Sequence, residues 1–263
     1  LNPKILGIDR EIIESLKVNG AEVQGVYTST IHLLLNDLLI TVGHKVGYGK
    51  HHLVTDQAID FYAYDLAVKT KVTYENHTIK IGSLVLDVLE EGIRSYQPYL
   101  KTYRFNTDTL KTISRLKNMV KDRHHYNVFS FPKDNPWLSY QFEKIDIFLH
   151  APGLPSALSI MGLGMGLTPL GDDILTGFIL GLNTVNKTLP WIEMLIKEAK
   201  HKTSRLSYQN LNDTYQRFYP DMFIQMIEGL LIENDIEKAT AILKLGASSG
   251  AGILTGFIYG LMS

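Results

Sequence analysis

Two stretches of this chain are near copies of each other, and that repeat constrains the fold more than any other feature. Gly171–Leu182 (GDDILTGFILGL) aligns with Gly250–Leu261 (GAGILTGFIYGL) at an offset of 79 residues, with nine of twelve positions identical. The shared positions include Gly and Thr as well as common apolar residues, so chance is a poor account of the match. Both copies read as apolar helices. In each, two glycines stand four apart, Gly177 with Gly181 and Gly256 with Gly260. Residues at that spacing share one helix face. Small residues there make a flat stripe on which another helix can lie close. The helix bodies therefore share a packing role.

The segments in front of the helices carry the chemistry. The first copy is preceded by Gly162-Leu-Gly-Met-Gly-Leu-Thr-Pro-Leu-Gly-Asp-Asp173. Its glycines permit backbone angles that other residues avoid. Pro169 pushes Thr168 out of the α region, which makes an extended or turning approach. The helix then begins near Leu170–Asp172. Its unpaired N–H groups and positive dipole end favour a carboxylate or phosphate. The second copy opens with Ser248-Ser249-Gly250, whose hydroxyls suit capping or ligand contact.

Asp172 and Asp173 have two readings. Acids in a first helical turn complement the dipole, which is a structural role. After a Gly-rich loop, paired carboxylates also suit a substrate or cation site. Adjacent helical residues point about 100° apart, so one of the two is expected to face a pocket. The candidate site is therefore Gly164, Gly166, Thr168, Gly171, Asp172 and Asp173, with Ser248, Ser249 and Gly250 as the opposite wall. Asp172 and Asp173 are the candidate catalytic groups. The motif is neither a P-loop nor a dinucleotide fingerprint, because it lacks Gly-Lys-Ser/Thr and sits in a helical region. No cofactor is expected.

The rest of the chain divides near residue 95. Residues 1–95 read as a β-rich domain. A short helix is expected first, at Pro3–Leu16, with Ile5, Ile12, Ile13 and Leu16 on one face. Strands follow at Val23–Thr28, Ile31–Leu35 and Leu38–Val42, with Asn36-Asp37 as a tight turn. Alternation within Phe61–Thr73 and then Thr78–Val88 around Glu75-Asn76 gives a hairpin pattern. Closely spaced strands point to an antiparallel sheet or small barrel. Residues 96–263 read as helical. Leu110, Ile113, Leu116, Met119 and Val120 share a face. Asp134-Asn-Pro-Trp137 looks like a helix start, continued by Phe142, Ile145, Phe148 and Leu149. Trp191–Leu206, Asp221–Ile232 and Ile236–Leu245 follow, the last stopped by Gly246. The fold class is α+β.

Other clusters carry less. The segment Gly43-His-Lys-Val-Gly-Tyr-Gly-Lys-His-His52 is Gly-rich and basic, and suits either an anion contact or an ordinary loop. His51-His52 and His124-His125 are tandem pairs, not the i,i+4 spacing of a zinc helix, so no metal site is expected. Thr203 and Ser207, at i,i+4, would present two hydroxyls to a pocket or lie on a helix surface. Lys111, Arg115, Lys117, Lys121 and Arg123 mark a basic, solvated helix face. Net charge is -1, which gives no electrostatic case for nucleic acid. The absence of cysteine excludes disulfides and thiolate chemistry and fits a cytoplasmic protein. The apolar runs Ile174–Leu182 and Ile253–Met262 fall short of the roughly 20 residues a membrane span needs. The N-terminal residues do not resemble a signal peptide.

The Gly-Leu-Thr-Pro-x-Gly-Asp-Asp motif, with a Ser-Gly-x-x-x-Leu-x-Gly segment much later, resembles the AllH-type family of bacterial proteins. The layout of a β-rich part followed by a helical part matches as well. The resemblance implies a subunit of an oxamate carbamoyltransferase in allantoin and purine-nitrogen breakdown. That enzyme converts oxalurate and phosphate to oxamate and carbamoyl phosphate, in an assembly that includes an FdrA-type partner and other operon-encoded subunits. Two positions depart from the family pattern. Leu170 stands where Ser usually precedes Gly-Asp-Asp, and Ala251 and Gly252 stand where the second motif usually has an acid. The expected ligand is a small anionic carboxylate or carbamoyl metabolite, and the expected protein is an enzyme subunit. The alternative is a non-catalytic subunit that binds a small anion through the same loop.

Overall fold

The computed structural model describes residues 2–105, 107–122 and 136–263. His124-His125, Arg123 and Asp134-Asn135 lie outside the described residues, as do the side chains of Met119, Val120 and Lys121. The chain forms two compact units, Leu1–Pro98 with Phe218–Asp221 and Tyr99–Arg217 with Met222–Ser263.

The first unit is a closed barrel. Its elements are β1 (Lys4–Asp9), α1 (Arg10–Asn19), β2 (Ala21–Val26), β3 (Thr30–Leu35), β4 (Leu38–Gly43), β5 (His52–Thr55), β6 (Lys71–Glu75), β7 (Thr78–Ile81), β8 (Leu84–Val88) and β9 (Ile93–Arg94). The strands bond in the order β5-β4-β3-β2-β6-β7-β8-β1, and β1 pairs back to β5, so eight strands close the ring. Closure removes the exposed edges that an open sheet would leave. Most pairs are antiparallel. β1–β8, β4–β5 and the short β1–β9 pair are parallel. Ile31, Leu33, Val42, Leu53, Val72, Ile79, Ile81 and Leu86 fill the core, and Ile12, Ile13 and Leu16 of α1 join the same cluster.

Three local expectations change. Pro3–Leu16 is not one helix, because Lys4–Asp9 is the strand that closes the barrel. Ile5 pairs with Thr55 on one side and Val88 on the other. The helix starts only after Asp9, whose carboxylate accepts the Glu11 N–H at 2.7 Å and the Tyr96 N–H at 3.0 Å. Phe61–Thr73 is mostly not strand either. A single 3₁₀ turn covers Phe61–Tyr64, Asp65 and Lys69 take positive φ, and pairing begins at Lys71. Val68 is exposed, so its alternation with Val72 marks no common face. Thr78–Val88 is two strands, turned at Gly82 with φ +56°.

The second unit is helical: α2 (Thr107–Asp122), α3 (Pro136–His150), α4 (Leu154–Ile160), α5 (Leu170–Thr184), α6 (Ile192–Lys202), α7 (Arg205–Tyr215), α8 (Asp221–Glu228), α9 (Ile236–Thr240) and α10 (Ser249–Met262). Trp191–Leu206 is not one helix. Thr203 is extended and Ser204 caps α7, accepting the Ser207 N–H at 3.1 Å. On α2 the buried face runs through Thr109, Ile113 and Leu116, while Leu110 is exposed. Lys117 lies 4.6 Å from the Tyr259 ring centre, and Lys111 pairs with Asp108 at the surface. Among the described residues no helix is long and apolar enough to cross a membrane.

The two repeat helices, α5 and α10, form the centre of this unit. Every residue of α5 and Gly250–Leu261 of α10 are buried. A methyl on Gly177 would sit 2.0 Å from the Ile253 carbonyl oxygen, and one on Gly256 would sit 2.0 Å from that of Ile174. Gly181 meets Phe257 and Gly260 meets Phe178 in the same way, at 2.4 and 2.2 Å. Each contact is the other's copy under the 79-residue offset, which is the reciprocity of a two-fold relation. Both sets of contacts rise in step along the chain, so the helices run parallel. Phe178 packs on Phe148 at 5.0 Å and on Trp191 at 6.1 Å.

Gly177→Ala or Gly256→Ala would force two backbones apart, since a methyl cannot sit so close to a carbonyl oxygen. We expect a loss of about 1–3 kcal/mol, the usual scale of overpacking. Chemical denaturation would read it as a lower midpoint; an unchanged midpoint would contradict the close approach.

Candidate functional site

The parallel arrangement brings the two helix starts to one end. There the Thr168 and Ser249 hydroxyls, one from each copy, stand 2.9 Å apart in a mutual hydrogen bond. Asp173 lies beside both hydroxyls and is 4% exposed. Its Oδ2 is buried with no hydrogen-bond partner. Few carboxylate oxygens are left so in a folded protein, because each forfeits its hydration. Burial pushes the Asp173 carboxyl up to about 8. The neighbouring Asp172 adds to the rise, while the Ser249 and Thr168 hydroxyls oppose it. Two helix N-termini also favour the charged form. Loss of water outweighs them here.

Asp172 has a different job. Its Oδ1 accepts the Gly162 N–H at 2.7 Å, and its Oδ2 accepts the Thr203 hydroxyl. Burial raises its pKa, and these partners, with the Ser207 hydroxyl, pull it back. Asp172 thus ties the start of the Gly-rich loop to the corner between α6 and α7. Ser204 holds the loop's far end by donating to the Leu167 carbonyl at 2.7 Å. Between these anchors the loop is open, with Met165 87% exposed and no atom within 4 Å of a Cβ at Gly166. Gly164 has φ +129°, and a Cβ there would meet the Leu170 amide nitrogen at 2.6 Å, so only glycine fits.

The structure brings Thr168, Asp173 and Ser249 together. It places Ser248 at the exposed edge of the α10 start, where its carbonyl accepts the Gly252 N–H. Gly171 and Gly250 are close-approach positions: a Cβ would sit 1.8 Å from the Ile160 oxygen and 2.0 Å from the Ile242 oxygen. Their N–H groups are bonded to Leu163 and Leu245 carbonyls, and those of Asp172 and Asp173 to Pro169. The helix starts therefore present fewer amides than the motif suggested, and side-chain hydroxyls dominate. Sequence reasoning missed Thr203 as the partner of Asp172. The Ser204-x-x-Ser207 cap was the readable sign that the chain turns there.

Three of the basic candidates have partners of their own. In the barrel unit, Lys50 pairs with Glu11 at 3.1 Å and lies over Phe218. His44 and His52 bond to the carbonyls of Thr55 and Gly47. Among the described residues, no group of three or more His, Asp or Glu side chains comes together in a way that would hold a metal ion.

Residues 160–261 match the sequence model of a family described as oxamate carbamoyltransferase subunit AllH. The matched span covers both loops and both glycine-striped helices. No curated protein and no solved structure matches the chain.

Two outcomes test this geometry. Asp173 binds its proton more tightly folded than unfolded, so its contribution to stability is full below pH 4 or so. It is lost as pH rises towards about 8. Asp173→Asn should flatten the pH dependence of the unfolding midpoint across that window. Asp172→Ala leaves the Gly162 N–H without its acceptor and should cost about 1–3 kcal/mol. Limited proteolysis should then cut the loop near Met165 faster than in the parent protein.

Proposed function

We propose that this chain, of the AllH type over residues 160–261, is an enzyme subunit acting on a small carboxylate or carbamoyl metabolite. In this reading it takes part in oxamate carbamoyl transfer, from oxalurate and phosphate to oxamate and carbamoyl phosphate, within purine and allantoin nitrogen catabolism. It would do so with FdrA-type and other operon-encoded subunits. One observation carries the reading: a buried carboxyl oxygen without a partner, beside a hydroxyl pair that the two repeats supply jointly.

The chemistry follows from that arrangement. The Thr168 and Ser249 hydroxyls, at the positive ends of two helices, hold an anionic group. Gly164 and Gly166 let the loop main chain follow it closely, and Ser248 supplies the outer wall. Gly171 and Gly250 support the site by bringing helices together. Asp172 keeps the loop in shape. Asp173 is the group with unspent capacity, and burial sets it near the pH at which acid–base work is efficient. Fixed hydroxyls and dipoles lower a transfer barrier because they need no reorganisation as charge moves.

The deciding assay is carbamoyl phosphate formation from oxalurate and phosphate, with the chain alone and with its operon partners. Phosphate-dependent turnover is expected in the assembled form, reduced about 10²-fold or more by Asp173→Asn. An assembled but inactive complex would reject the carbamoyltransferase reading. Calorimetry showing oxalurate bound without turnover would identify a sensor instead.

A further inference from the structure

The 79-residue offset gives the three polar residues of this centre counterparts: Asp173 with Gly252, Ser249 with Leu170, and Thr168 with Ala247. The three polar residues meet on one side of the two-fold relation. Their three counterparts are all apolar. A Cβ on Gly252 would stand 2.9 Å from the Asp173 Cβ and 3.0 Å from the Leu170 Cδ1. The centre thus has room for one carboxyl, and Leu170 fills the space that a second hydroxyl would take.

We propose that Asp173 carries a proton that it exchanges with the bound ligand through the Ser249 hydroxyl, and that Leu170 closes the mirror position, leaving one such centre per chain. Geometry is the warrant. Asp173 is 4% exposed and lies beside the bonded Thr168–Ser249 hydroxyls, which link its oxygen to a ligand held at the pair. Asp172 is the titratable neighbour on its own helix. Around it stand Thr168, Ser249, Leu170 and Gly252 from the lead-in loop and the two helix starts. Burial supports the assignment, because it keeps the carboxyl in its acid form into the neutral range.

In the reaction proposed above, on which this step rests, a phosphate oxygen attacks the carbamoyl carbon and the bond to the amide nitrogen breaks. The departing nitrogen takes one proton from Ser249, which takes the Asp173 proton in turn. Hydrogen phosphate loses its own proton as the new C–O bond forms, and that proton returns Asp173 to its acid form. The cycle leaves no net charge or proton behind. Asp173 is therefore a positioning group that acts through Ser249.

The test is a pH titration of the full chain, labelled with ¹³C at the aspartate carboxyls. One carboxyl should titrate well above the ordinary range and vanish in Asp173→Asn. Ser249→Ala should move its midpoint further up by half a unit or more, since the lost hydroxyl favours the charged form, and Ser249→Thr should restore it. An ordinary midpoint, or one indifferent to Ser249→Ala, would overturn the proposal. The titration needs no turnover, so failure of the oxalurate assay would remove the reaction while leaving this pair to be judged by its own result.

Discussion

Backbone lies against backbone where α5 crosses α10, and the rest of the helical unit is arranged around that contact. Four glycines remove the side chains that normally hold two helices 8–10 Å apart. The gain is dispersion contact between main chains, with the Phe178 and Phe257 side chains both fully buried. The cost is specificity of a demanding kind, because no other residue fits at Gly177, Gly181, Gly256 or Gly260. Gly171 and Gly250 extend the same device to the preceding turns, at Ile160 and Ile242.

Two parallel helices place two positive ends side by side, each equivalent to about half a charge. A carboxylate between them is the natural counterweight. Asp173 stands there, yet burial holds it near neutrality rather than in a firmly ionised state. The opposing effects are close enough that a modest change in hydration or in a bound group shifts the balance. Asp172, one residue earlier on the same turn, is raised by burial too, but Gly162 and Thr203 satisfy both of its oxygens and pull it back. Identical residues next to each other thus have different chemistry.

Much of this was legible in the chain itself. The repeat, the glycine spacing and the two lead-in segments are local patterns, and the hairpin strands β3 and β4 keep nearly the expected bounds. What escaped depends on partners far away in sequence. Lys4–Asp9 carries apolar residues that fit a helical face as well as a strand, and only pairing with β5 and β8 decides between them. The division of labour between Asp172 and Asp173 was equally invisible. It rests on Thr203, which stands 31 positions from Asp172, and on a helix break that lets Thr203 reach it. The repeat itself hid the asymmetry: Leu170 and Gly252 look like unrelated departures until the two-fold contact shows that they fill one space.

The glycine notches also work as a vernier. Each receives one carbonyl of the facing helix, so the axial setting of α5 on α10 is quantised. A slip of one residue would move the helix starts past each other by about 1.5 Å. The bond between Thr168 and Ser249, 2.9 Å long, would not survive that slip. The alignment of two hydroxyls at the mouth is thus set by main-chain steps buried two turns below them.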